Sequence, residues 1–467
     1  MSLRLDFLVG RLAAKQPNIW FRIFKNIRII FKHTAMKDSI IATLQKHKND
    51  FKNTEDLQPL IQEIKDKRIV MIGEASHGTH EYYKWRARIS KILMEEHGFD
   101  FVAVEGDWPP CYELNRHVKN YADAEVATGK VFKKFERWPS WMWANWEVYE
   151  WAEWLRHFNK GFPLNKRKGF YGLDVYSLWE SLEAIMDYLK KEDQAAFETA
   201  TTAMRCFEPF GEGDGQKYAM STRLVPKGCS EEVSQLLSQI RRNAPNYNTD
   251  REHAFSTQQN AIVIKNAENY YRIMASGSAS TWNMRDKHMM DTLDRLMEFH
   301  GKAAKGIVWA HNTHIGDASY TDMGDQGLYN IGELGRKEYG KNNVSLIGFG
   351  SYHGSVLAGR SWGAPAEKMY LPIAPENSWE DLCHQAGEQF HINCEDLKSN
   401  AALQRRIAHR AVGVVYNPKL ERYGNYVPTV IPERYDHFLF LNETQALHQI
   451  DISVESAMTP ETFPFGV

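Results

Sequence analysis

Apolar positions along this chain follow two periods. Short runs rich in β-branched residues occur at Ile69 to Ile72, Phe101 to Val104, Lys168 to Asp174, Gly306 to Ala310, Val344 to Phe349, Ala411 to Tyr416 and Phe438 to Leu441. Runs of this length, ended by glycine or a polar group, predict buried strands. Between them apolar residues recur at three- and four-residue intervals, which predicts amphipathic helices. Asp38 to Lys65 reads this way through Ile40, Ile41, Leu44, Leu57, Leu60, Ile61 and Ile64. So does the stretch after Thr79, through Tyr82, Trp85, Ile89, Ile92 and Leu93, with Thr79 as its expected cap and Gly98 as its stop. Cys111 to Val118 predicts a further helix. The alternation implies an α/β fold: three layers, with a largely parallel central sheet covered by helices. Residues 177–300 show only helical periodicity and predict a large helical insertion, the natural place for a substrate lid. A glycine-rich loop, Phe210 to Gly215, interrupts it. That loop lacks GxGxxG spacing and follows no strand, so it does not read as a phosphate cradle.

One domain is expected from residue 36 to residue 450, with a tail at 451–467. Residues 1–35 are distinct. Arg4, Arg11, Lys15, Arg22, Lys25, Arg28 and Lys32 oppose only Asp6, and Ile23, Phe24, Ile27, Ile30 and Phe31 keep helical spacing. Charges break every apolar run, so the segment is neither a membrane span nor a secretory signal. Two readings stand side by side: a basic amphipathic helix on a membrane surface or partner, or a start site upstream of the true one at Met36.

The net charge of −2 over 467 residues gives no sign of a nucleic-acid partner. Five scattered cysteines without CxxC spacing fit a reducing, cytoplasmic compartment and argue against a zinc-thiolate centre. Fourteen tryptophans are many for such a chain. Six of them, Trp138, Trp141, Trp143, Trp146, Trp151 and Trp154, fall in one stretch. Most are expected in the core, with Pro139 and Asn145 suggesting that part of the run is a loop or helix start facing a cleft.

The chemistry concentrates at strand ends. The first predicted strand runs into Gly73-Glu74-Ala75-Ser76-His77-Gly78, the second into Glu105-Gly106-Asp107-Trp108 and the third into Asp174. The fourth leads into His311-Asn312-Thr313-His314. Open α/β sheets bind ligands at such ends. Arg86, on the helix between the first two strands, needs a carboxylate partner, and Glu74 or Glu105 is the natural one. A histidine with two carboxylates suits general acid–base work near neutral pH, with further histidines and an arginine to stabilise an oxyanion. Three rival sites compete with this reading. A metal held by His77, His311 and His314 with Glu74 or Glu105 lacks an HExxH signature, and neither metal nor cofactor is assigned. Gly359 to Gly363 matches GxSxG, but no apolar strand leads straight into it and Pro365 follows. Ser76 reads more simply as a small turn residue than as a nucleophile.

The blocks GEASHGTHE (Gly73 to Glu81), VAVEGDWP (Val102 to Pro109), WMWANWEV (Trp141 to Val148) and YGLDVYSLWE (Tyr171 to Glu180) resemble the erythromycin esterase family. WNMRDKHM (Trp282 to Met289), WAHNTHIGD (Trp309 to Asp317), LIGFGSYHGSV (Leu346 to Val356) and AVGVVYNPKLERYGNY (Ala411 to Tyr426) continue the likeness in the same order. The resemblance implies hydrolysis of the macrolactone ester of 14-membered macrolides such as erythromycin, and with it antibiotic resistance. It implies His77 as the base that activates water, Glu74 and Glu105 as its partners, and Arg86, His311 and His314 as further catalytic groups. Trp108, Trp143, Asn145 and Asp174 are the expected substrate contacts. The partner implied is a small-molecule ester. The alternative is a member that binds a ligand without cleaving it, or cleaves another ester, with or without a metal.

Overall fold

The computed structural model describes residues 35–210, 215–222, 228–243, 250–274 and 280–450. The basic segment before residue 35, the tail after residue 450 and residues 211–214 of the glycine-rich loop lie outside them.

Eleven strands are described: β1 (Asn49–Asp50), β2 (Ile69–Ile72), β3 (Phe101–Val104), β4 (Gly169–Gly172), β5 (Gly306–Trp309), β6 (Val344–Gly359), β7 (Ala366–Leu371), β8 (Gln389–Asn393), β9 (Ile407–Arg410), β10 (Tyr426–Thr429) and β11 (His437–Thr444). Nine make one sheet in the order β1-β8-β11-β6-β2-β5-β3-β4, with β7 folded back on β6. From β11 to β4 every neighbour is parallel. The strands β8 and β1 continue one edge antiparallel, and β9 pairs β10 separately.

The strands β2, β3, β4 and β5 are each four residues long and buried on both faces. Alternate residues of β2 and β3 divide between two cores. Val70, Ile72, Val102 and Val104 join one cluster, and Ile69, Met71, Phe101 and Ala103 join the other. The first cluster lies beneath α1 (His80–Glu96), α2 (Trp108–Val118) and α3 (Trp146–Asn159), whose Leu93, Leu114 and Trp151 it includes. The expected three-layer, mostly parallel α/β fold is therefore present. Gly98, at φ +74°, follows the last turn of α1 as its stop.

Residues 177–300 are helical throughout their described parts: α4 (Leu178–Glu192), α5 (Gln194–Phe207), α6 (Gly215–Thr222), α7 (Ser230–Asn243), α8 (Arg251–Met274) and α9 (Ser280–His300). They bury a core of their own that includes Leu182, Ile185, Ala200, Leu236 and Ile264. A disulfide joins Cys206 to Cys229, with Cα atoms 5.9 Å apart. This runs against the reducing-compartment reading of the cysteines. Their spacing could not show it, because helix packing brings the two together. Cys111, Cys383 and Cys394 are buried thiols. Among the described residues no helix is long and apolar enough to cross a membrane.

Three boundaries differ from the periodicity. The helical reading of 38–65 is broken, since residues 35–47 and Gln58–Ile64 are helical but β1 between them pairs with the edge strand β8. Residues 411–416 make single bridges, Ser76 with Val412 and Gly359 with Val415, and the strand lies earlier, at β9. Across 411–416 the chain changes partners every residue or two, with Ala411 N donating to Asn425 O at 2.8 Å, Val412 N to Ala75 O at 2.8 Å and Tyr416 N to Gly359 O at 3.0 Å, so no continuous ladder forms. Conversely, β6 continues ten residues past Phe349, because β11 and β7 go on supplying partners.

Candidate active site

The strand order β2-β5-β3-β4 places four sequence-distant strand ends side by side. Trp309 of β5 is in register with both Ile72 of β2 and Val104 of β3, and Val104 with Gly172 of β4. The residues just past these strands, Glu74, His311, Glu105 and Asp174, are thereby gathered at one end of the sheet. Crosslinks hold them in place. Asn312 N donates to Glu74 O at 2.8 Å, and Glu105 N to Trp309 O at 2.9 Å.

The turn after β2 is tightly enclosed. A Cβ on Gly78 would lie 1.8 Å from Leu357 O, so only glycine permits this approach to β6. Gly78 O accepts from Leu357 N at 2.9 Å and from Leu447 N at 3.0 Å. Thr79 begins α1 in extended backbone but does not cap it, because its hydroxyl bonds Ser76 Oγ instead. Ser76 is 1 % exposed and braces the turn.

Glu74 and Arg86 are both fully buried, with Arg86 Nη2 2.8 Å from Glu74 Oε2. The guanidinium carbon stands 4.2 Å from the ring centre of Tyr83 and 5.4 Å from that of Trp309. The other oxygen of Glu74 lies 2.9 Å from His77 Nδ1. Glu74 thus accepts from Nδ1–H, which leaves Nε2 of His77 as the basic nitrogen. Nε2 stands 4.0 Å from Glu105 Oε1, and the rings of His77 and His311 are 4.8 Å apart between centroids.

Glu105 is the hub. Its Oε2 accepts from the backbone N of His311 at 2.8 Å. Its Oε1 accepts from Arg285 Nη2 at 2.7 Å and lies 3.3 Å from His314 Nε2. Burial opposes its charge, yet His314, Arg285 and His77 hold it well below the usual carboxylate range. Arg285, from α9, also makes a two-pronged contact with Asp174, Nε to Oδ1 at 3.0 Å and Nη2 to Oδ2 at 2.6 Å. His311 caps the short helix α10 (Asn312–Ile315), and its Nδ1 accepts from Thr313 N at 3.3 Å. That assigns the ring proton to Nε2, which has no well-aligned partner. Burial and the neighbouring His77 push the His311 pKa well down, so the ring is neutral.

His314 behaves oppositely. Its Nδ1 lies 2.9 Å from Asp286 Oδ2, and its ring stacks on Trp282 at 4.5 Å. Arg285 Nη1 also comes within 3.0 Å of Nε2, a contact that alone would favour a neutral ring. Two carboxylates against one guanidinium decide the matter. Burial disfavours the charge, but Asp286 and Glu105 outweigh it and lift the pKa to about 9. The raised value stabilises the fold fully below the ordinary pKa of 6.5, and that contribution is lost as pH rises towards about 9. Thermal unfolding measured between these limits is expected to show stability declining with pH. His314→Gln should flatten that decline; an unchanged slope in this variant would show that another group carries it.

A cavity of about 480 Å3 opens on this cluster, and His77, Glu105, Asp174, Arg285, Trp143 and Glu180 are among its lining residues. Glu74, Arg86, His311 and His314 stand behind that lining. Two expected substrate contacts do not reach it. Trp108 is fully buried, stacked between Tyr112 and Tyr171, and its Nε1 donates to Ser256 Oγ at 3.0 Å. Asn145 is fully buried as the cap of α3, accepting from Val148 N at 2.8 Å. Trp143 does line the cavity and donates to Glu105 O at 3.0 Å. The arginine at the cavity is Arg285 rather than Arg86. Arg285 and Asp286 were not singled out from the sequence, and their only trace there is the block WNMRDKHM. Ser361 of the GxSxG match sits exposed in the loop between β6 and β7.

The family model described as Erythromycin esterase matches residues 94–444. The chain belongs to the erythromycin esterase family. Erythromycin esterase type II of Escherichia coli is 24 % identical over 350 residues, covering 69 % of this chain and 78 % of that protein. Among solved structures, a succinoglycan biosynthesis protein superposes with a TM-score of 0.70 at 20 % identity, over 88 % of this chain and 98 % of the other. A mutant of erythromycin esterase EreC in its open conformation superposes with a TM-score of 0.61 at 15 % identity, over 86 % and 96 %. Membership supports hydrolase chemistry on a small-molecule substrate.

Proposed function

We propose that this family member hydrolyses a carboxylic ester or macrolactone, with His77 as the general base. The observation that carries this reading is the geometry of His77 at the cavity wall. Its Nδ1 is committed to Glu74 at 2.9 Å, and its Nε2 stands 4.0 Å from Glu105, a gap that one water can bridge. Glu74, itself neutralised by Arg86, orients the ring and stabilises the imidazolium formed when the proton is taken. The hydroxide so formed attacks the ester carbonyl carbon. Arg285, at the same wall, is placed to stabilise the oxyanion. Collapse then breaks the carbon–oxygen bond, and the imidazolium returns its proton to the departing alkoxide, giving one acid and one alcohol. No group of the enzyme is acylated.

The name of the Escherichia coli relative favours a macrolide as substrate, and with it antibiotic resistance. The walls supplied by the insertion carry Glu180, Asp187 and Asn260. Asn260 is buried, and its Oδ1 lacks a hydrogen-bond partner. Such acceptors favour a substrate bearing hydroxyl or amine donors, as glycosylated lactones do. Incubation with a panel of macrolides and simple lactones is expected to give a product heavier by one water in mass spectrometry. No such product across the panel would sink the reading.

A further inference from the structure

On the other side of the catalytic turn, three ligating groups converge that the proposed reaction does not use. His80 is the first residue of α1, Glu147 lies in the first turn of α3, and His448 follows β11. Their ligand atoms all lie within 4.8 Å of one another. Both imidazoles turn Nδ1 to the same carboxylate oxygen, His80 at 2.6 Å and His448 at 2.6 Å from Glu147 Oε1. The other oxygen, Oε2, is buried without a partner.

A carboxylate serving only as a hydrogen-bond acceptor gains by spreading its donors over both oxygens, since a buried orphan acceptor is costly. Here the two imidazoles and the backbone N of His448, at 3.4 Å, crowd one oxygen and none serves the other. Two imidazole nitrogens and a carboxylate are the donor set of three-ligand zinc sites, with a water or anion in fourth place. We propose that His80, Glu147 and His448 bind a divalent metal of the zinc class. Ligand atoms of a tetrahedral zinc site stand roughly 3.3 Å apart. The two 2.6 Å separations between imidazole nitrogen and carboxylate oxygen would open to that value, with Oε2 available to turn inward. Next to His80 and Glu147 lies a cavity of about 50 Å3, also lined by Lys84, Arg88, Lys91 and Glu150, with Lys91 Nζ 3.4 Å from Glu150 Oε1. It has room for a water. The His448 side chain is 38 % exposed, which provides the entry path.

The site would fasten a strap. Residues 445–450 cross the catalytic turn through backbone bonds, His80 N to Gln445 O at 2.9 Å, Leu447 N to Gly78 O at 3.0 Å and Trp146 N to His448 O at 2.9 Å. His80 is three residues from His77. A metal joining these segments therefore ties the end of the fold to the turn that carries the proposed base.

The test uses the full chain, stripped with a chelator, dialysed and titrated with cobalt(II), whose visible absorption reports nitrogen and oxygen ligands. One equivalent is expected to bind, and His448→Gln should weaken it by on the order of tenfold or more. Zinc should raise the melting temperature of the wild type but not of His448→Gln. His448 is half-exposed, so this variant should fold; His157→Gln, at an exposed position, serves as the control and should match the wild type. The absence of saturable binding would overturn the proposal. So would binding that survives His448→Gln but disappears in His311→Gln, which would place the ion in the catalytic cleft.

Discussion

His77→Ala is expected to lower kcat for an accepted ester by about 10²- to 10⁴-fold, the span covered by a positioned general base, while the protein stays folded. The side chain is buried but lines the cavity, so its loss opens space that water can fill. The carboxylate it leaves behind is not orphaned, because Arg86 Nη2 remains 2.8 Å from Glu74. The effect should therefore fall on turnover, with little change in unfolding. Hydrolysis assays at saturating substrate, run beside circular dichroism, separate the two. Turnover within tenfold of wild type in a folded His77→Ala protein would remove the mechanism. His77→Gln should be no better, since an amide cannot take the proton.

Arg86→Ala carries the largest expected cost to stability. It strands the fully buried carboxylate of Glu74 beside His77 and removes a guanidinium packed against Tyr83 and Trp309. Breaking one side of such a pair costs about 3–5 kcal/mol. Urea unfolding should register it as a shift in midpoint at constant slope. Arg86→Lys should recover little, because an ammonium cannot reproduce the planar packing. Adding Glu74→Gln to Arg86→Ala should restore part of the loss, as the double variant no longer buries an unpaired charge. A change below 1 kcal/mol in the single variant would show that Glu74 finds another partner.

Much of this site was legible from the chain alone, for a local reason. Glu74 and His77 share one turn and Arg86 lies on the helix that follows, so their meeting is a matter of a few residues and one helical face. Glu105 and Asp174 were legible because each directly follows a strand of the parallel sheet. Arg285 and Asp286 were not. They sit within α9, a long helix whose apolar stripe explains most of its residues, and nothing in its spacing marks the turn that faces the sheet ends. Trp108 and Asn145 were misplaced for the opposite reason. Each stands beside a cavity residue in sequence, yet helix geometry turns Trp108 into the aromatic core, and the backbone of α3 claims Asn145 as its cap.

Sequence by itself determined the layers and the material of the site. Period-two and period-3.6 burial are properties of short segments, and they can be read wherever one face must leave water. It also supplied the order of the motifs that mark the family. Only the tertiary structure decided which strand ends become neighbours, which arginine reaches the cavity and that Cys206 finds Cys229. Some of those are contacts between segments more than two hundred residues apart, as Ile72 and Trp309 are. They depend on how the strands pair across the sheet and how the insertion packs beside it, energies summed over many side chains that no local pattern records.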